Sequence, residues 1–301
     1  MTPRSPLTNS RNIKLKRVID TNTIIAAYQK SYDIDVKRFF KDLDKVSLYQ
    51  CLDTFYEFYF PFNVIGDSSF YEHFIRYDWY YMNWKWEHET SIRLIKSSDN
   101  VLEIGCGKGS FVEALTKTNI NCAGLELNQV VRNICKEKGL KIIEETIQQH
   151  AEKNTALYDV ICSFQVIEHI PDIRGFLKGS IDMLKQDGKL LISVPNNNSF
   201  LGLDENNILN WPPHHMGLWD ERTLRKLEDI FRIRLDKIHI EPLQSYHFQY
   251  YINVISFHIE QKYKYIGKIC NRLAKSLLIK FVHRYPDKIK GFTMLGEFTK
   301  L

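Results

Sequence analysis

From residue 99 onward, short apolar runs alternate with longer stretches whose apolar positions recur every three or four residues. The first pattern predicts buried β-strands and the second predicts amphipathic helices. Such alternation is typical of an α/β fold in which a doubly wound parallel sheet carries helices on both faces. The predicted strands are 101–105, 122–126, 140–145, 158–164, 188–195, 235–243 and 292–300. The predicted helices are 109–118, 128–138, 173–184, 221–231 and 256–285.

The first 90 residues follow a different pattern and are expected to form a helical and aromatic cap. Residues 91–301 are expected to form the main domain, with 244–288 as a helical insertion before the last strand. Within the cap, the aromatic residues of 70–86 either cover a site as a lid or simply pack as a helix. The predicted elements of the cap are a frayed start (1–15), short helices (19–44), a hairpin (46–51 with 55–60) and an aromatic-rich helix (70–95).

A glycine-rich turn follows the first strand of the alternating region. Residues 101–109 read Val-Leu-Glu-Ile-Gly-Cys-Gly-Lys-Gly, so a buried strand runs directly into a Gly-x-Gly-x-Gly turn. A turn without side chains lets a ligand lie against the backbone, beyond the carboxyl end of the strand. The nicotinamide-dinucleotide fingerprint needs its third glycine where this chain has Ser110, and Glu103 inside the strand is foreign to it. The turn therefore predicts a ligand site of another kind.

With this turn, the sequence resembles a class I S-adenosylmethionine (SAM) dependent methyltransferase. The resemblance implies a Rossmann-like methyltransferase sheet of seven strands, whose last strand is antiparallel and lies beside the sixth. It also implies SAM as the cofactor and methyl transfer as the reaction. The last of the four further stretches that carry it resembles methyltransferases of surface-glycan and other secondary biosynthesis. These stretches are CAGLELN (122–128), YDVICSFQVIEHIPD (158–172), KQDGKLLISVPN (185–196) and LNWPPHHMGLWDERTL (209–224).

The resemblance also assigns cofactor-binding residues, position by position. The glycine turn offers its backbone to the methionine part of SAM, and an acid after the second strand binds the ribose hydroxyls. The common pattern has an Asp beside the adenine, where this chain has Thr146. The assigned residues are Glu103, Gly105, Cys106, Gly107 and Gly109 at the methionine part, Glu126 at the ribose, Thr146 and Ile147 at the adenine, and Phe164 and Gln165 over the sulfur.

Three histidines are candidates for the catalytic base. A hydroxyl acceptor must lose a proton during methyl transfer, and histidine has a suitable pKa for accepting it. His214 and His215 follow two prolines that fix the direction of the loop, and His169 begins a predicted helix. Each of the three also admits a purely structural role. No metal site is predicted, because the chain has no C-x-x-C pair and because two carboxylates on one helical turn, Glu168 and Asp172, are commonly just solvated.

The positive charge is concentrated near the C-terminus. The net charge is +5, but residues 258–290 alone carry nine Lys/Arg against Glu260 and Asp287. Within the predicted helix 256–285, apolar residues form one stripe and most basic residues lie off it. Three interpretations follow: the helix docks on the protein, lies on an anionic membrane near a lipid-linked acceptor, or follows an RNA backbone.

The predicted function is SAM-dependent O-methylation of a small molecule or a glycan, including a lipid-linked one. Two other classes stay open: an RNA methyltransferase that uses 258–290, and a non-catalytic SAM-binding protein. The run Asn210–Pro213 resembles the loop of adenine-amino methyltransferases, but it follows the fifth predicted strand and not the fourth, which argues against nucleic acid. No apolar run is long enough to cross a bilayer and no signal-like segment begins the chain, so a cytoplasmic location is expected, with peripheral membrane contact through 256–285 as an addition.

Overall fold

The larger of two β-sheets has seven strands, as the sequence predicted. The computed structural model describes residues 3–80, 82–262 and 268–301. The strands of the two sheets together are β1 (Ile13–Asp20), β2 (Lys45–Cys51), β3 (Glu57–Phe60), β4 (Asn100–Ile104), β5 (Asn121–Leu125), β6 (Ile142–Ile143), β7 (Tyr158–Phe164), β8 (Leu184–Pro195), β9 (Gly217–Leu218), β10 (Ile233–Pro242) and β11 (Lys290–Lys300).

The order of the large sheet creates a switch point beside β4. The order is β10-β11-β8-β7-β4-β5-β6, so the chain runs outward from β4 to β6 and then returns to place β7 on the other side of β4. In such sheets the crevice beyond the carboxyl ends of the two diverging strands is the usual ligand site. The predicted antiparallel last strand is confirmed; β11 lies not only beside β10 but between β10 and β8.

Helices cover both faces of this sheet, as predicted. Successive residues of β4 enter different cores: Val101 packs in the cluster that contains Phe111, whereas Leu102 packs in the cluster that contains Leu177. This period of two, with apolar residues on both faces, is expected of a central parallel strand. The helices are α1 (Thr21–Tyr32), α2 (Ser68–Glu72), α3 (Trp86–Ile92), α4 (Ser110–Lys117), α5 (Gln129–Glu137), α6 (Ile147–Lys153), α7 (Ile173–Met183), α8 (Glu221–Arg225), α9 (Phe248–Lys262) and α10 (Lys268–Arg284).

The smaller sheet has the antiparallel order β1-β2-β3-β9. The hairpin predicted at 46–51 and 55–60 is confirmed as β2 and β3. The predicted frayed start and the helix from residue 19 are wrong where β1 lies, because Ile13–Asp20 pairs with β2 along its length. Phe58 in β3 pairs with Gly217 in β9, which ties the loop after Pro213 to the cap.

The prediction of a single helix over the aromatic segment 70–95 is wrong. The described helical parts of the segment are α2, a 3₁₀ turn at His73–Arg76 and α3. The Asp67 side chain accepts a hydrogen bond from Phe70 N and so caps α2. The helix turns inward because Phe70 and Phe74 are buried in the core of the cap. Tyr81, one of the predicted lid residues, lies outside the described residues.

The predicted insertion between the last two strands consists of α9 and α10. Helix begins at Phe248, earlier than predicted, and residues 263–267 of the predicted helix lie outside the described residues. The buried residues of these helices, including Ile252 and Val282, pack on Phe200. Part of the predicted stripe is not docked, since Leu273 and Leu277 are 61% and 66% exposed. Among the described residues, no helix is both long enough and apolar enough to cross a bilayer.

Candidate active site

The glycine turn lies at the switch point and is held tightly on two sides. The backbone N–H groups of Gly105 and Cys106 donate to the carbonyl of Leu125, at 2.8 and 3.1 Å, at the end of β5. Gly105 has a φ of +71°, and a Cβ there would lie 2.6 Å from Val166 in the loop after β7. Both the left-handed backbone and the close approach require glycine. Gly107 and Gly109 are also left-handed, with φ of +51° and +71°.

The carboxylate of Glu126 is fixed by the backbone around it. Its Oε2 accepts a hydrogen bond from Gly107 N at 3.0 Å, and its Oε1 accepts one from Asn128 N at 2.8 Å. Each carboxylate oxygen accepts more than one hydrogen bond, so both retain capacity for the hydroxyls of a diol. This half-buried carboxylate at the end of β5 is therefore suited to the ribose, as the resemblance implies.

Glu103 in β4 is a buried carboxyl group that lacks a full set of partners. It is 3% exposed, and its Oε2 has no hydrogen-bond partner in the described structure. Burial raises its pKa well above the ordinary value, while the nearby Lys85 charge acts in the opposite direction. An unpartnered buried carboxyl is costly, and an ammonium group would offset that cost. A cofactor with an amino group therefore fits the residues at the end of β4.

Some of the other predicted cofactor residues have side chains engaged in the fold. A Cβ on Gly124 would lie 2.5 Å from the Cys106 Sγ, so the Cys106 side chain packs against β5. Only the backbone of Cys106 is therefore expected to contact a ligand at the glycine turn. The Thr146 hydroxyl accepts from Gln149 N at 3.2 Å in the capping box of α6. Ile147 is buried in the core. The adenine assignment of Thr146 and Ile147 therefore stays a prediction, and it depends on their backbone atoms.

Phe164 and Gln165 lie where β7 ends, next to the glycine turn. The Phe164 ring is buried against Phe111 and His88, with ring centroids 5.0 and 5.1 Å apart. Gln165 adopts a left-handed φ of +55°, and its backbone N–H donates to Ser193 O at 3.0 Å. This turn of the chain brings Val166, and not Phe164, against Gly105. Their predicted contact with the sulfur of SAM stays a prediction.

The three candidate histidines form one cluster, although 45 residues separate His169 from His214. The His214 and His215 rings are stacked with centroids 4.5 Å apart, and the His169 ring lies 4.8 Å from His214. Burial lowers the pKa of His169 to about 4 and holds the pKa values of His214 and His215 well below 6.5. All three imidazoles are therefore neutral at neutral pH, the form that accepts a proton or binds a metal ion.

Residues of the aromatic segment contact both parts of this site. The Tyr71 hydroxyl donates to the backbone carbonyl of His214 at 3.3 Å. Its neighbour Glu72 accepts a hydrogen bond from the Asn128 side chain at 3.3 Å, directly beyond Glu126. The Tyr80 hydroxyl lies 2.9 Å from His214 Nε2. Helix α2 thus extends from the carboxyl end of β5 to the histidine cluster.

Three carboxyls are buried in the fold: Glu168, which the sequence marks only as one of a commonly solvated pair, and Glu87 and Glu241, which the sequence does not mark. Burial raises the pKa of Glu168 to about 8 and also raises the pKa of Glu87. Burial raises the pKa of Glu241 to about 7. The negative charge of Glu87 raises the pKa of both Glu168 and Glu241 further. Glu87 Oε1 and Glu168 Oε2 have no hydrogen-bond partner in the described structure. The positive charge of Lys85 lowers the pKa of Glu87, Glu103 and Glu168, against the larger effect of burial.

One signal in the sequence points to Glu87, because Lys85 and Glu87 interrupt an otherwise aromatic run. Charged residues in apolar surroundings are usually functional or paired. The burial of Glu87, Glu168 and Glu241 was not visible, because it depends on how α3, the loop after β7 and β10 pack in the fold.

Comparison with known proteins identifies the family of the chain. A family model described as a methyltransferase domain matches residues 77–232. The ubiquinone biosynthesis O-methyltransferase of Yersinia enterocolitica is 31% identical over 105 residues, which cover 33% of this chain and 43% of that protein. The enzyme of the same name from Aliivibrio fischeri is 33% identical over 104 residues, 33% of this chain and 44% of that protein. The chain thus spans less than half the length of these curated relatives.

The fold is also shared with a solved structure. The crystal structure of a SAM-dependent methyltransferase from Archaeoglobus fulgidus superposes with a TM-score of 0.51 at 17% identity, covering 70% of this chain and 90% of that one. At this identity the likeness shows the fold. The family match is stronger, because it extends over slightly more than half of the 301 residues and includes the glycine turn, Glu126 and the three histidines. The chain belongs to the methyltransferase-domain family.

Proposed function

We propose that this protein is a SAM-dependent methyltransferase that methylates a hydroxyl group of a small polar molecule or a glycan. The observation that carries the proposal is the pairing of Glu126 with the Gly107 backbone at the switch point, beside the unpartnered carboxyl of Glu103. In this arrangement residues 91–301 carry the site and residues 1–90 cover it. The O-methyltransferase relatives support oxygen as the methylated atom.

The residues at the ends of β4 and β5 would hold the cofactor. When bound, SAM supplies a methyl group that its sulfonium already activates, so the protein contributes position and electrostatics. Glu126 would accept hydrogen bonds from the ribose hydroxyls, and Glu103 would face the amino group. The turn through Gly105, Gly107 and Gly109 would let the methionine part lie against the backbone.

The buried carboxyls would bind the acceptor. Glu87 and Glu168 each have an oxygen without a partner in the described structure, and both lie within reach of the charge of Lys85. Such groups recognise hydroxyls, since an unmet buried carboxyl gains more from a hydrogen bond than a solvated one does. A wholly apolar acceptor would leave these groups without partners. The set therefore favours an acceptor with several hydroxyls, such as a sugar.

The histidine cluster would receive the proton of the acceptor hydroxyl. The Nδ1 atom of His215 lies 3.1 Å from the Asn210 amide oxygen, and that of His169 lies 2.6 Å from the His214 carbonyl. Both rings therefore carry their hydrogen on Nδ1 and keep a lone pair on Nε2. His214 is a weaker candidate, because its Nε2 already faces the Tyr80 hydroxyl.

A lipid-linked acceptor is the finer part of the proposal. Helix α10 exposes Leu273, Leu277 and Phe281 together with Lys275 and Lys280. Exposed apolar and basic residues on one helix suit an anionic membrane surface on the cytoplasmic side. The same basic residues could follow RNA, but the exposed large apolar side chains favour the membrane.

A methyl-transfer screen tests this function. The full chain is incubated with radiolabelled SAM and, in turn, sugar nucleotides, lipid-linked saccharides, phenols and transfer RNA. We expect label in a hydroxyl-bearing small molecule or saccharide and none in transfer RNA. Label in RNA alone would establish the RNA methyltransferase instead. SAM binding by calorimetry without transfer to any class would support the non-catalytic alternative.

A further inference from the structure

We propose that His169, His214 and His215 form a binding site for one divalent cation of the zinc type. One ring nitrogen from each residue lies within 4.8 Å of the others; His214 and His215 are buried and His169 is half-buried. Tetrahedral zinc sites have Zn–N bonds of about 2.0–2.1 Å, so their nitrogens lie roughly 3.4 Å apart. Binding would require the three nitrogens to move closer together by up to about 1.4 Å.

The hydrogen bonds of the cluster already match those of metal-binding histidines. A histidine ligand almost always donates its second ring N–H to an oxygen, which fixes the tautomer and the direction of the ring. Here the acceptors are the His214 carbonyl for His169 Nδ1, the Leu209 carbonyl for His214 Nδ1 and the Asn210 amide oxygen for His215 Nδ1, at 2.6, 2.9 and 3.1 Å. All three Nε2 atoms therefore present lone pairs.

The ligand set selects the kind of cation. Three imidazoles suit zinc, cobalt or nickel, whereas magnesium and calcium prefer oxygen ligands. Three protein ligands leave one tetrahedral position open, which is typical of catalytic and not of structural zinc. The Tyr80 hydroxyl, 2.9 Å from His214 Nε2, now occupies the side from which the cation would approach. Binding would exchange this hydrogen bond for a metal–nitrogen bond.

The chemical role of the cation rests on the proposed function. An acceptor hydroxyl in the open position would have a lowered pKa, as metal-bound water has. The histidines would then act as ligands in place of the base role proposed above, and water would accept the proton that the acceptor hydroxyl loses. No metal was predicted here, because the chain has no C-x-x-C pair and His169 is far from His214 and His215 in sequence. The three histidines come from two loops that meet only in the fold.

The test is binding of cobalt and zinc to the full chain after treatment with a chelator. We expect one Co²⁺ per chain, with the visible absorption of a tetrahedral nitrogen site and without a thiolate-to-cobalt charge-transfer band. Calorimetry should give a dissociation constant that rises about 100-fold or more in His215→Ala. Asn210→Ala keeps all three ligands and removes one outer partner, so a loss of roughly 10- to 100-fold is expected. His239→Ala, at a histidine outside the cluster that pairs with Glu297, should bind like the parent.

Three outcomes would overturn the metal site. They are no binding by the parent chain, binding by His215→Ala and Asn210→Ala as tight as that of the parent chain, or a cobalt spectrum dominated by thiolate. Circular dichroism of each variant confirms that it is folded, and Asn210→Ala supplies the answer if His215→Ala is not. SAM affinity, measured on the same metal-free samples, depends on Glu126 and not on the cluster. Failure of the metal site is thus distinguishable from failure of the proposed function.

Discussion

The Glu126 carboxylate accepts a hydrogen bond from the Gly107 backbone at 3.0 Å, so the second strand of the Rossmann-like unit holds the turn that follows the first. The bond joins the end of β5 to the left-handed turn after β4. Because both partners face the switch point, this contact helps to fix the glycine turn and the direction of the acid together, beside the Leu125 carbonyl and the Asn128 N–H. A substitution at Glu126 should therefore affect the turn as well as the ribose.

Glu126→Ala should weaken SAM binding at least tenfold. The substitution removes charge-assisted hydrogen bonds, each contributing roughly 1.5–3 kcal/mol, and leaves the Gly107 N–H without its partner. Isothermal titration calorimetry measures the change. The control is Glu113→Ala, which removes an acid from the surface of α4 that pairs with Lys117 and Lys138. Equal affinity of the parent and a folded Glu126→Ala chain would place the ribose elsewhere.

Gly105→Ala should be more damaging than Gly139→Ala. The two glycines have nearly the same φ, +71° and +70°, so each substitution carries a left-handed strain of about 1–2 kcal/mol. A Cβ at Gly105 also meets Val166 at 2.6 Å, whereas one at Gly139 meets nothing within 4 Å. Urea unfolding should show the extra loss, and Gly105→Ala/Val166→Ala should recover part of it. If both single variants lose the same stability, the loop after β7 does not press on the turn.

Glu87→Ala should raise the KM for the acceptor and leave the Kd for SAM unchanged. Glu87 is buried with an unpartnered oxygen, and a lost hydrogen bond to a charged group is worth roughly 1.5–3 kcal/mol, or at least tenfold in KM. The matched control on the same helix is Glu89→Ala, because Glu89 is exposed and pairs with Arg93. Steady-state kinetics with the best acceptor from the screen separates the two. An unchanged KM in Glu87→Ala would remove Glu87 from the acceptor site.

Glu241 should make the protein less stable as the pH rises. Burial, with the charge of Glu87, raises its pKa from 4.5 to about 7, while Tyr246 and the Thr293 N–H face the same carboxyl. Between those values only the folded state keeps the proton, so the free energy of unfolding falls through this window by up to roughly 3 kcal/mol. Glu241→Gln should remove that part of the decline in urea unfolding measured from pH 4 to 8.

Glu297→Gln provides a control of opposite sign. Burial alone would raise the pKa of Glu297, but hydrogen bonds from Lys189 and His239 lower it. Its contribution to stability is therefore present above the ordinary pKa and lost as the pH falls. A parent chain and a Glu241→Gln chain with the same pH dependence would show that the proton on Glu241 does not contribute.

The α10 surface should bind anionic vesicles. Lys275, Lys280 and Arg284 lie near exposed Leu277 and Phe281, and each basic residue near such a surface contributes ~1 kcal/mol. Co-sedimentation should occur with phosphatidylglycerol vesicles at low salt and not with neutral phosphatidylcholine vesicles. Changing the three basic residues to Glu should abolish it, whereas Lys117→Glu on α4 should not. Equal binding to neutral vesicles, or none to either kind, would contradict the membrane proposal.

The large sheet could be predicted because its central strands β4, β5 and β7 are buried on both faces and their apolar runs are distinct from helical periodicity. The clearest misses are elements with little apolar signal: β1 buries little of its surface, and β9 has two residues. These strands form through pairing with distant segments, for example β9 with β3, and pairing leaves no mark in the local pattern. Helix α6 was missed although Thr146 and Gln149 form a capping box.

The site could be predicted where a motif carries it and not where the fold assembles it. Gly105, Gly107 and Glu126 were named because a strand, a turn and a following acid are adjacent in sequence. The three histidines were also named, but as separate candidates. Their two loops are brought together by contacts between distant residues, such as the hydrogen bond from Met216 N to Glu168 O, and the sequence does not show such contacts. Glu87 and Glu241 were missed because burial, and not sequence, gives them their chemical character.

Helix α2 has a consequence for the order of events in turnover. Its adjacent residues Tyr71 and Glu72 contact the His214 backbone and the Asn128 side chain, respectively, so one helix of five residues joins both parts of the proposed site. A segment this short does not open at one end alone. We therefore expect the spent cofactor and the methylated product to leave through the same displacement, so that each retards the departure of the other. Release, and not methyl transfer, would then set the pace of the cycle, and a burst of product in the first turnover would be its kinetic signature.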